Sequence, residues 1–137
     1  LLSFIIAIVL NGCSKGTSLK DGNPEILMGK WICTKMEWDV SYENEHGSDT
    51  YDDEGHYLVL SVDGTGTIKP YNLFEPEIRN SFNWVVSNGK LLVFVSNSRV
   101  VTFNIEKINS NTLILVWDDS DEDGFFKETG TFKKATS

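Results

Sequence analysis

The chain has 137 residues, with 20 Asp or Glu against 12 Lys or Arg, a net charge of −8. That balance excludes a nucleic-acid backbone as partner, because binding one takes clustered Lys and Arg, and it disfavours electrostatic docking on anionic lipid. Hydrophobic residues make up 40% and aromatic residues 12%, enough for the core of one small domain.

Residues 1–10, LLSFIIAIVL, carry no charge and one hydroxyl. Crossing a bilayer takes roughly 20 apolar residues, whereas about ten make the hydrophobic region of a signal peptide. The run begins without Met and without a basic segment, so the start is expected to be truncated. Leu10-Asn11-Gly12-Cys13 then turns the chain polar at once. It resembles the lipobox of bacterial lipoproteins, in which an apolar residue stands three before an obligatory Cys. The resemblance implies that 1–12 is a signal peptide, that cleavage precedes Cys13, and that Cys13 is diacylated and its new N-terminus acylated. Two or more acyl chains hold a protein firmly at a membrane. The alternative is an ordinary secretory signal that contains a Cys. Residues 13–26 are then the lipidated Cys and a linker, whose SKGTSLKDGNPE (14–25) reads as a flexible stalk. Ser14-Lys15-Gly16 is not the acidic export signal of some Bacteroidetes-type lipoproteins, so the periplasmic and the outer face of the cell envelope both stay open.

With Cys13 acylated, Cys33 has no disulfide partner. It falls inside a strand-like run and reads as a small buried apolar residue. From 27 to 137 the pattern is short β-rich runs broken by turn residues, with helix signals nearly absent. GKWICTKMEWDVS (29–41) is long and mixed, and YENEHGSDTYDDEG (42–55) reads as a polar loop. HYLVLSV (56–62) meets Asp63-Gly64, and TGTIKPY (65–71) returns from it. SFNWVVS (81–87) alternates and meets Asn88-Gly89, the best hairpin turn of the chain. KLLVFVS (90–96), RVVTFNIEKI (99–108), TLILVWD (112–118) and FFKETGTFKK (125–134) follow. Hairpin after hairpin predicts an all-β, antiparallel, eight-stranded up-and-down barrel, whose interior holds side chains or one small ligand.

LMGKWICTKMEW, YLVLSVDGTGTI, NGKLLVF and NTLILVW together resemble the lipocalin-like domains of bacterial lipoproteins. The resemblance covers 27–134 and implies an eight-stranded up-and-down barrel; many members of the family have no established ligand, so the family name does not settle the function. It also implies that Trp31 of Gly29-x-Trp31 closes the barrel base against a basic side chain of the last strand, with Lys133 or Lys134 available for a cation–π contact.

The acidic run DDSDEDG (118–124) offers Asp119, Asp121, Asp123 and Gly124 in calcium-loop spacing. The twelfth position of that loop, where a bidentate Glu belongs, is Gly130, and the flanks read as strands. A solvated hairpin loop whose charges prevent edge pairing is the expected reading, with no metal and no cofactor. His46 and His56 flank acidic residues without any metal-ligand spacing. No nucleophile motif, phosphate loop or catalytic constellation stands out, so no enzyme is expected. Phe82, Trp84, Phe103 and Trp117 sit in alternating runs. They either fill the core or line a cavity for a small hydrophobic ligand. Two functions follow: a membrane-anchored ligand-binding barrel, or a filled barrel acting on a basic protein partner through its acidic loops.

Overall fold

Period-two alternation sets the architecture, because successive side chains of a strand point to opposite faces. The computed structural model describes residues 19–42, 44–79 and 81–136. The signal segment 1–12 and Cys13 lie outside the described residues. After a short 3₁₀ turn at Glu25–Leu27 come β1 (Gly29–Val40), β2 (Glu45–Thr50), β3 (Tyr57–Leu60), β4 (Thr65–Lys69) and β5 (Ser81–Ser87). They are followed by β6 (Lys90–Ser96), β7 (Arg99–Ile108), β8 (Thr112–Asp121) and β9 (Gly124–Lys134). From β3 onward each strand pairs antiparallel with the next, β3 also pairs with β1, and β9 returns to β1. Strands β1 and β3–β9 thereby close an eight-stranded antiparallel barrel without a long free edge.

Strand β2 stands apart from that closed ring. Gly29–Ile32 of β1 pair with β3, whereas Lys35–Val40 pair with β2. The segment 42–55, expected as a loop, therefore contains a strand. Its residues EHGSDT are almost all exposed, so no alternation marks it. The backbone ladder to β1 alone makes it a strand. The acidic run differs in the same direction: β8 continues to Asp121, and Glu122 and Asp123 alone form the turn. The expected free stalk is, in its described part, bonded to the barrel. Gly22 and Val86 exchange both backbone hydrogen bonds, Asn23 Nδ2 donates to Trp84 O, and Asn88 N donates to Asp21 Oδ1.

The up-and-down course gives the barrel two unlike ends. Turns 61–64, 88–89 and 109–111, with both ends of the described chain, form the base. Residues 41–42 and 44, segment 70–79 and turns 97–98 and 122–123 form the mouth, whereas 51–56 leaves the wall beside Cys33 and Thr34, midway along β1. Between them the inward residues make one continuous apolar core that includes Trp31, Leu60, Ile68, Trp84, Leu91 and Phe132. Burying each of these stabilises the fold by about 1.5–3 kcal/mol.

Candidate ligand chamber and its lid

The base is sealed by one aromatic residue and its neighbours. Trp31 is fully buried, and its indole Nε1–H donates to Leu27 O at 2.9 Å. Lys134, opposite Trp31 in the β9–β1 register, places Nζ 4.5 Å from the ring centre and donates to Met28 O. Of the two lysines named from the sequence, Lys134 is the partner. Gly29 completes the contact: at its φ of +117° a Cβ would stand 2.9 Å from Lys134 Cε. A side chain here would displace the lysine from the indole.

The mouth is closed differently, by residues 70–79 of the connection between β4 and β5. Leu73, Phe74 and Ile78 of this connection are buried in the core. The loop closes on itself through Ile78 N–H to Tyr71 O and Leu73 N–H to Pro70 O, each 3.0 Å. The Phe74 ring lies 4.7 Å from that of Phe103 and 6.4 Å from that of Phe132. Gly130 leaves it room, since a Cβ there would stand 2.9 Å from Phe74 Cζ. Two polar contacts fix the loop. The Glu75 N–H donates to Glu128 Oε1 at 2.5 Å, and Arg99 Nη1 donates to Glu77 O at 2.7 Å.

Glu128 is the one buried charged side chain among the described residues, 8% exposed. Strand β9 turns Glu128, Gly130 and Phe132 inward. In register Glu128 stands between Trp38 of β1 and Trp117 of β8, and residues so opposed share a face. Burial pushes its carboxyl up to about 7, against the lowering effect of the Glu75 N–H and with a further rise from the Glu75 carboxylate.

The structure separates the aromatics named from the sequence. Phe103 and Phe82 are buried, but only Phe103 meets the lid residue Phe74. The Phe82 ring covers Gly66, and Phe82 also lines a cleft of ≈ 550 Å³ with Ser81, Asn83, Phe94 and Asn97. Trp84 serves the base, its Nε1–H donating to Ser61 O at 3.2 Å. Trp117 is half-buried beside Glu128 and meets Phe126 edge-on at 5.7 Å. Cys33 is buried and free, and burial raises its thiol to about 11. Asp121 Oδ1 accepts from Asp123 N and Gly124 N, so it closes the β8–β9 turn. Among the described residues no three His, Cys, Asp or Glu side chains gather as metal ligands. His46 lies on β2 opposite Asp39, whereas the His56 ring stacks on Tyr51 with centres 3.7 Å apart.

Sequence reasoning missed Phe74, Glu75, Arg99 and Glu128. The signal for Glu128 was present: it takes the inward phase of Phe126, Glu128, Gly130 and Phe132. The signal for the lid was a loop too apolar for solvent, with Leu73, Phe74 and Ile78 in nine residues.

A closed antiparallel barrel with a Trp-sealed base and a loop-covered mouth defines a lipocalin-like protein. The lipocalin-like domain family matches residues 27–115, and the chain belongs to it. No curated protein and no solved structure matches this chain.

Proposed function

We propose that this protein is a non-enzymatic binding protein that takes a small hydrophobic ligand into the barrel through its mouth. One observation carries the reading: part of the interior is filled by Leu73, Phe74 and Ile78 of a connecting loop. Strand side chains are fixed by the ladder, whereas a connecting loop held by few backbone bonds can open locally without unfolding the barrel. Its withdrawal uncovers a chamber walled by Phe103, Phe132 and Met36. An apolar ligand replaces the lid's contacts and is bound by burial and shape.

The lipobox resemblance at Cys13 supports a lipid anchor in the bacterial cell envelope, at the outer membrane. The described chain enters at the base, where Asp21, Gly22 and Asn23 are bonded to β5 and its turn. A tether upstream of these residues holds the base toward the membrane and turns the mouth away from it.

The test is native mass spectrometry of the chain from Ser14, purified from a bacterial host without stripping detergent. Excess mass in the lipid or small-metabolite range is the expected result. A clean mass that stays unchanged with an envelope extract contradicts the reading. A second reading, a filled barrel acting on a basic protein, is favoured by the exposed Glu75, Glu77, Glu122 and Asp123 around the mouth. Such a rim steers cationic partners.

A further inference from the structure

We propose that the slot formed by Phe103, Phe132 and Gly130, with Glu128 beside it, binds a small arylalkylamine, whose place Phe74 and the Glu75 N–H now occupy. The inference rests on the ligand-binding reading above and names the ligand class.

The lid enters the barrel as a ligand would. Its apolar part is a phenyl ring, seated 4.7 Å from Phe103 and over the missing Cβ of Gly130. Its polar part is one N–H donor, given to the buried carboxylate of Glu128. Covalent structure fixes the link: Cβ, Cα and the carbonyl carbon of Phe74 separate the ring from the Glu75 nitrogen. A phenyl ring, three carbons and an N–H is the outline of 3-phenylpropylamine.

A buried carboxylate is costly unless a donor or cation meets it. Leu, or Gln with its neutral amide, would suit a permanently closed barrel better than Glu128 does. The single backbone donor of the closed state leaves the carboxyl poorly compensated, as its elevated value of about 7 records. An ammonium offers both charge and donors, and a charge-assisted hydrogen bond is roughly twice as strong as a neutral one. The Glu75 carboxylate is the titratable group that bears directly on Glu128; Tyr51, on which Glu128, Asp49 and Cys33 act, carries the stacked ring of His56 on its face. The acidic rim raises the local concentration of a cationic ligand. Arg99 stands at the lid's outer side, where it holds Glu77 O.

Titration calorimetry or two-dimensional NMR tests the assignment, with 3-phenylpropylamine and its uncharged isostere butylbenzene as probes. Arg99→Ala loosens the lid without touching the core, and Phe74→Ala empties the slot. Either variant is expected to bind the amine about tenfold tighter than the parent chain, so a folding failure of one leaves the other. Adding Glu128→Gln to Arg99→Ala is expected to weaken the amine about tenfold and leave butylbenzene unchanged. Amine affinity is also expected to rise with pH between about 6 and 8, as Glu128 ionises. Equal affinity for the two probes, or an amine affinity indifferent to Glu128→Gln, overturns the amine assignment while the ligand-binding barrel stands. Binding of neither probe, together with a clean native mass, overturns both.

Discussion

Lys134 Nζ stands 4.5 Å from the centre of the Trp31 ring and donates to Met28 O, so one side chain fastens the last strand to the first at the base. Lys134→Ala removes a cation–π contact and a hydrogen bond together. A loss of about 1–2 kcal/mol in unfolding free energy is expected, measured by urea denaturation. Lys134→Met keeps the apolar stem and isolates the charged head.

Gly66 tests the packing of the wall. A Cβ there would stand 2.5 Å from Phe82 Cε1 and 2.7 Å from the carbonyl oxygen of Val59. The ring can shift, but the carbonyl belongs to the β3–β4 ladder and cannot. Gly66→Ala is expected to cost about 1–3 kcal/mol, read from thermal unfolding.

Glu128 gives the fold a pH dependence with a definite sign. Its carboxyl titrates near 7 in the folded protein, above the ordinary 4.5. The folded state therefore holds the proton more tightly than the unfolded state does. The stability this contributes is fully present below about pH 4.5 and is lost as the pH rises to 7. Against Glu128→Gln, which is neutral throughout, the parent chain is expected to lose on the order of 2–3 kcal/mol across that window. Denaturation curves of the two proteins at a series of pH values check the difference, in which the remaining carboxylates cancel.

Cys33 is buried, and its thiol is pushed up to about 11. The thiolate is the reactive form. Iodoacetamide at pH 8 is expected to leave the folded domain unlabelled at Cys33 and to label it fully in denaturant.

Alternation makes most of the barrel legible in the sequence. Phe82, Trp84 and Val86 point inward as the run SFNWVVS requires, and Val101, Phe103 and Ile105 do the same. What stayed hidden has physical reasons. Strand β2 is exposed on nearly all its residues, so it exists by backbone pairing and leaves no side-chain signature. The lid has no regular structure whose period could betray it. Glu128 is polar at an inward position, and its meaning depends on the Glu75 N–H, which lies 53 residues away in the chain.

The central question is whether residues 70–79 are a lid or a permanent part of the core. Amide hydrogen exchange of the Leu73, Glu75 and Ile78 N–H groups, compared with those of Leu115 and Phe132, decides it. A lid opens at a smaller free energy than global unfolding, so the three loop amides are expected to exchange at least tenfold faster than the strand amides. Exchange of all five at the rate of global unfolding would contradict the account. The barrel would then be solid, and its acidic rim would be the part left to act.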